Sequence, residues 1–229
     1  MKALIFDAGP IISLTTNNLL SLLAPLKQVF RGTFYISSCV RKELIERPLQ
    51  TKKFKFEALQ VEAQIEAGVL SRIDHEQTAE SANELYQLAN KIFWAQNRPL
   101  NILQMGEIES IAGCIALNAS AIVVDERITR MLIEEPEHLK KLLQKRLNTK
   151  IHMDNTVLDT FERKTRHISL IRSTELAVIA YEKGFLNQFV VNIPQAKKTL
   201  LESILWGLKL NGCAIAEEEI EQLLAKVRA

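Results

Sequence analysis

Residues 3–10 of the chain read Ala-Leu-Ile-Phe-Asp-Ala-Gly-Pro, and this stretch decides the expected fold. Its four apolar residues are typical of a short buried strand, which the Asp-Ala-Gly-Pro sequence then ends. The pattern returns at Ala121–Val124, a continuous apolar run that stops at a second aspartate, Asp125. Strands that are apolar throughout are typical of parallel sheets covered by helices on both faces.

Strands and helices alternate between these two runs. Thr33–Ile36 is β-branched and aromatic and predicts a strand. Ser37 or Ser38 can cap a following helix from Val40 to about Arg47, which Pro48 limits. We also expect a helix through Leu19, Leu20, Leu22 and Leu23, another from Ala79 to Gln96, and a third introduced by Gly106.

The alternation predicts an α/β protein, a three-layer α/β/α fold with a mainly parallel central sheet. Residues 134–167 are highly charged and read as a helical insertion with one strand, Lys150–Met153. A strand at Ile168–Ile171 and a helix at Thr174–Lys183 are expected to follow. We treat residues 1–229 as a single domain, with C-terminal helices within 196–229 predicted at Ala196–Leu210 and Glu217–Val227.

Composition excludes several classes of protein. The chain has 229 residues, 47% of them hydrophobic and 24% charged, with a net charge of +2, which is typical of a globular protein. No apolar run is long enough to span a membrane. Asp7 interrupts the apolar stretch that a signal peptide would need, so we expect a cytoplasmic protein. The sequence has neither the His and Cys spacings of a zinc site nor the glycine- and lysine-containing motif of a P-loop.

Four carboxylates stand where chemistry is expected. Asp7 and Asp125 follow predicted strands, and ligands of open parallel sheets bind beyond the carboxyl ends of the strands. Glu107 lies in the first turn of a helix, and Glu43 lies one turn into another. Four converging carboxylates repel one another, and Mg²⁺ or Mn²⁺, which prefers oxygen ligands, would remove that conflict.

These acids lie within motifs that resemble those of PIN-domain proteins. Residues 6–14, Phe-Asp-Ala-Gly-Pro-Ile-Ile-Ser-Leu, resemble the opening motif of that family, which supplies its first metal-binding aspartate. Residues 40–44, 106–112 and 123–127 resemble the next three motifs, in the order of the family. The third motif offers two acids, Glu107 and Glu109, which helical spacing places on opposite margins of the apolar stripe without choosing between them. Motif alignment and first-turn position favour Glu107 and leave Glu109 in reserve. The tail resembles the C-terminal helices of a prokaryotic, toxin-related subgroup.

The resemblance implies a metal-dependent nuclease that hydrolyses phosphodiester bonds in RNA, a ribonuclease with Mg²⁺ or Mn²⁺ as its cofactor. Asp7, Glu43, Glu107 and Asp125 would be its metal-binding and catalytic residues. A toxin masked by an antitoxin, another protein partner and a homodimer are all compatible with it, and a membrane partner is not expected.

Two rival interpretations stay open. One is a PIN-like module that binds RNA or protein without catalysis, although all four acidic positions are filled. The other is a phosphatase of the haloacid-dehalogenase type, which also begins with a strand and a nucleophilic aspartate. That class needs a second acid two residues after the first, and Gly9 occupies this position.

Overall fold

The computed structural model describes residues 2–226. In chain order its strands are β1 Ala3–Phe6, β2 Thr33–Ile36, β3 Leu70–Arg72, β4 Phe93–Ala95, β5 Arg98–Pro99, β6 Ala121–Val123, β7 Ile151–Met153 and β8 Leu170–Ile171. Five parallel strands form the central sheet in the order β3-β2-β1-β6-β8, and three others form a small antiparallel sheet in the order β5-β4-β7.

Helices cover both faces of the central sheet. They are α1 Ala8–Thr16, α2 Leu23–Phe30, α3 Ser38–Arg41, α4 Arg47–Leu49, α5 Lys55–Glu66, α6 His75–Ala89, α7 Met105–Ala116, α8 Arg127–Glu134, α9 Pro136–Leu147, α10 Asn155–Thr165, α11 Ser173–Glu182, α12 Ala196–Leu210 and α13 Glu217–Lys226. A π-helical segment, Lys42–Glu46, joins α3 to α4. The expected three-layer α/β/α fold is therefore confirmed.

Alternate side chains of the buried strands enter two separate cores. In β1, Leu4 and Phe6 contribute to one core with α1, α2, α11 and α12. Ile5 points to the opposite face and packs with α6, α7 and α10. Because successive strand residues face opposite sides, a strand buried on both faces must be apolar at every position, as β1 is.

The helix predicted from Ala79 to Gln96 ends early, at Ala89. Phe93–Ala95 forms a strand instead, and it pairs with β5 through a turn whose central residues, Gln96 and Asn97, both have positive φ. Two such residues are characteristic of tight hairpin turns. Because the buried Ile92 and Phe93 continue the apolar spacing of α6, the prediction from periodicity placed the end of this helix too late.

The helix expected through Leu19–Leu23 was also misplaced. Helix α1 begins directly after Asp7 and tolerates Pro10 in its first turn, where the proline needs no hydrogen-bonded N–H. It ends before Asn18, which has a φ of +58°. The leucines then lie in a 3₁₀ turn, Leu20–Leu22, and the start of α2.

The helix predicted from Val40 to about Arg47 is longer than expected. Ser37 caps it, because its Oγ accepts a hydrogen bond from Val40 N at 3.2 Å. The helical chain starts at Ser38 and passes Pro48 to Leu49. Helix α5 and strand β3, which follow, were not predicted.

The charged segment at 134–167 was expected to be helical with one strand, and it contains helix α9, strand β7 and helix α10. It is not isolated from the rest of the chain, since β7 pairs with β4. Helix α12 matches its predicted bounds. Helix α13 starts at Glu217 as predicted, and its predicted end at Val227 lies outside the described residues. No helix within residues 2–226 combines the length and apolarity needed to cross a membrane.

Candidate functional site

The sheet has a topological switch point between β1 and β6. From β1 the chain moves through β2 to β3 on one side and later through β6 to β8 on the other. Adjacent connections therefore leave the sheet in opposite directions, which opens a crevice at the carboxyl ends of β1 and β6. Asp7 follows β1 directly, and Asp125 follows β6 after one residue.

Asp7 lies at the floor of this crevice and is 6% exposed. Its backbone N–H donates to Val123 O at 3.0 Å and so ties the ends of β1 and β6 together. Burial raises the pKa of Asp7 from 3.8 to about 6. The N–H groups of Ala8 and Gly9 oppose this rise, while the negative charges of Glu43 and Asp125 add to it.

Asp125 is held firmly by the neighbouring strand connection. Its Oδ1 accepts from Ser173 N at 2.8 Å, and its Oδ2 accepts from Ser173 Oγ at 2.7 Å. Both residues are almost fully buried. A methyl group added at Gly9 would lie 3.6 Å from Asp125 Cβ and 3.8 Å from Asp7 Oδ2, so the two aspartates flank the same glycine.

Glu107 reaches the crevice from the first turn of α7 and is partly buried. Burial is again the largest cause of its raised pKa, about 7, and the charges of Asp7, Glu126 and Glu43 raise it further. Its Oε2 accepts a hydrogen bond from Gln104 N at 2.5 Å, which caps its own helix and partly lowers the pKa.

Glu43 approaches from the opposite side on the π-helical segment. A methyl group added at Gly106 would lie 3.7 Å from Glu43 Oε2, so Glu43 lies against the N-terminal turn that carries Glu107. The π-helical turn changes the direction in which side chains leave the helix, and such turns are frequent at functional sites. The four acids of the expected set thus lie near the carboxyl ends of β1 and β6, with Glu43 and Asp125 acting on Asp7, and Asp7 and Glu43 acting on Glu107.

Glu109 does not belong to this group. Its Oε2 accepts from Cys39 N at 2.8 Å, and its Oε1 lies 3.2 Å from His75 Nδ1. The side chain is 2% exposed and lies between α3 and α6. The geometry therefore separates the two acids that helical spacing left undecided, with Glu107 in the crevice and Glu109 in a structural contact.

The crevice has the donor chemistry of a hard divalent cation but not a closed cage. Among residues 2–226, no group of three or more His, Cys, Asp or Glu side chains is arranged to hold a metal ion. Glu107 is turned toward Gln104, and both oxygens of Asp125 are engaged by Ser173. The unrelieved repulsion among Asp7, Glu43 and Glu107 is nevertheless the kind that a cation removes.

Comparison with known proteins gives no assignment. No family model, no curated protein and no solved structure matches the chain.

Two residues of the site were missed by the sequence analysis. Ser173 follows β8, the strand next to β6, so the rule that selected Asp7 and Asp125 could have selected it. Glu126 follows Asp125 directly; its Oε2 caps α8 by accepting from Thr129 N at 2.6 Å, and its charge acts on Glu107. The three cysteines are free, with Cys114 and Cys213 buried and Cys39 partly exposed.

Proposed function

We propose that this protein is a metal-dependent nuclease of the PIN type, an endoribonuclease that hydrolyses phosphodiester bonds in RNA with Mg²⁺ or Mn²⁺. The observation that carries the proposal is the convergence of Asp7, Glu43, Glu107 and Asp125 on the switch point of a parallel sheet. Four different connections deliver these acids at the cost of mutual repulsion, which a merely structural site would not need.

The four carboxylates would hold the cation, with Asp7 and Asp125 as the fixed ligands. When bound, the ion would supply an activated water and stabilise charge on the phosphate oxygens. Ser173 orients Asp125 through two hydrogen bonds and so holds this carboxylate in place. Glu107 would leave its contact with Gln104 N, a capping bond whose loss costs about 1 kcal/mol.

The activity is tested by cleavage of labelled single-stranded and structured RNAs with Mn²⁺, with Mg²⁺ and with EDTA. We expect cleavage that requires the metal and is abolished by Asp7→Asn, because the substitution removes a buried ligand charge. The melting temperature of this variant should be equal or higher, since repulsion from Glu43 and Asp125 is relieved.

Asp74→Asn is the matched control, because Asp74 is also a helix N-cap without a side-chain capping bond but is exposed and outside the crevice. It should cleave like the wild type. Cleavage by Asp7→Asn at the wild-type rate would remove the site assignment.

A second candidate is a PIN-like module that binds RNA or a protein without catalysis. It is favoured by one observation, the engagement of Glu107 and Asp125 with Gln104 and Ser173 instead of an open ligand cage. Such a module would bind RNA equally well in Mn²⁺ and in EDTA and would cleave it in neither.

A further inference from the structure

A large cavity with a positively charged wall lies next to the acidic crevice. Its volume is about 620 Å³, and helices α8, α9 and α13 line it together with the segment that follows α12. Cationic side chains dominate the wall: Arg127, Arg130, Lys141, Lys145 and Arg172. Helix α9 belongs to the charged segment at 134–167.

Each carboxylate in the wall has a basic side chain beside it. Arg130 pairs with Glu134 at 3.4 Å, and Arg172 pairs with Glu219 at 2.9 Å. The remaining carboxylate of the wall, Glu135, lies 2.6 Å from His138. Each of these three carboxylates therefore has its partner within the wall of the cavity.

Three cations are left over. Among the described residues, Arg127, Lys141 and Lys145 have no carboxylate within 4.0 Å. Lys141 and Lys145 are exposed and lie one helical turn apart, an arrangement in which like charges destabilise a helix. Within the same residues, the buried Arg130 Nε has no hydrogen-bond acceptor. The exposed lysines of the wall thus offer charge to an anion.

The cavity adjoins the acidic crevice through Asp125. Arg127 is two residues from Asp125, and Arg172 precedes Ser173, which holds the carboxylate of Asp125. Ala214, which also lines the cavity, donates its N–H to Asp125 O at 3.0 Å. An extended polyanion could therefore contact the cavity and the crevice together.

We propose that this cavity binds backbone phosphates of a nucleic-acid strand and that the segment at 134–167 supplies part of this contact through Lys141 and Lys145. A phosphodiester backbone presents regularly spaced negative charges, which fits unpaired cations on successive turns of a helix better than a single small anion does. That the strand held here is also the strand cleaved rests on the proposed function.

The test is the salt dependence of RNA binding, measured by fluorescence anisotropy in EDTA with a labelled single-stranded RNA of mixed sequence. Each phosphate contact to a single strand contributes about 0.7 to the slope of log K against log salt. Lys141→Ala/Lys145→Ala should weaken binding and lower the slope by about 1.4. The melting temperature should be equal or higher, because repulsion between the two lysines is removed.

Lys197→Ala/Lys198→Ala is the matched control, with the same loss of charge at two exposed lysines of α12 that do not line the cavity. Its slope should equal that of the wild type. Equal slopes in all three proteins, an equal loss in both variants, or no RNA binding by the wild type would overturn the proposal.

Cleavage in Mn²⁺, measured in parallel, separates the two proposals. Lysine-dependent binding without cleavage would support the phosphate cavity and contradict the nuclease. Metal-dependent cleavage with binding that is independent of Lys141 and Lys145 would do the reverse.

Discussion

Helix α7 carries two glutamates, two residues apart, whose surroundings differ in kind. Glu109 is fully buried, and each of its oxygens has a partner, Cys39 N or His75. Glu107 is less buried. Its pKa is raised first by burial and further by the charges of Asp7, Glu126 and Glu43, while Gln104 N lowers it. The packing side of the helix is electrostatically satisfied, whereas the crevice side is not.

The difference shows what a buried charge indicates about function. A carboxylate with complete hydrogen bonding contributes to the fold, because its desolvation is offset locally. Carboxylates that raise one another's pKa, as Asp7 and Glu43 do to Glu107, repel one another, and bound protons or cations relieve that repulsion. The negative charges that act on Glu107 in addition to its burial separate a candidate site from a structural contact.

The largest expected effect is on the rate of RNA cleavage and distinguishes Glu107 from Glu109. Glu107→Gln should lower the rate of metal-dependent RNA cleavage by about a thousandfold, because several kcal/mol of transition-state stabilisation come from the bound metal. Glu109→Gln is its matched control and should change the rate per folded molecule by no more than a few-fold. Equal losses in the two variants would contradict the division of α7 into two sides.

The next effect concerns the pH dependence of stability without metal. The pKa of Asp7 is raised from 3.8 to about 6, so between these values the native protein keeps a proton that the unfolded chain has released. The free energy of unfolding should therefore fall as the pH rises through this window, by roughly 3 kcal/mol from Asp7.

Denaturant unfolding at pH 4, 5, 6 and 7 in EDTA measures this dependence. Asp7→Asn removes the titrating group and should flatten the curve between pH 4 and 6, whereas Asp74→Asn should leave it unchanged. A wild-type protein that gains stability across this window relative to Asp7→Asn would show that Asp7 is not repelled in the crevice.

The smallest expected effect is on stability and concerns Glu109, on the packing side of α7. Glu109→Ala leaves Cys39 N without its acceptor and should cost about 2 kcal/mol of stability. Glu107→Ala loses a capping bond but relieves repulsion, so its stability in EDTA should change less. Urea unfolding of the two variants under the same conditions compares them, and a larger loss for Glu107→Ala would reverse the assignment.

Much of the fold could be predicted because its central strands are buried on both faces. Such strands must be continuously apolar, and the runs before Asp7 and Asp125 were recognisable for that reason. Asp7 and Asp125 followed from the same feature, since a polar residue at the end of a buried strand stands out.

Other features depend on tertiary contacts that periodicity does not record. Phe93 keeps the helical spacing of α6 but belongs to a strand, because the Gln96-Asn97 turn and pairing with β7 determine its conformation. Likewise, helix geometry placed Glu107 and Glu109 on opposite margins of α7, and only the positions of α3 and α6 decide which margin faces the crevice.

The most direct measurement of the central claim is thermal unfolding during a Mn²⁺ titration at neutral pH, for wild type, Asp7→Asn and Asp74→Asn. A ligand that binds only the native state stabilises it by about 2.7 kcal/mol at one hundred times its Kd. We predict a rise in melting temperature for wild type and Asp74→Asn that is lost in Asp7→Asn. A wild-type protein whose melting temperature does not respond to Mn²⁺, or that responds as Asp7→Asn does, would contradict a metal site at Asp7.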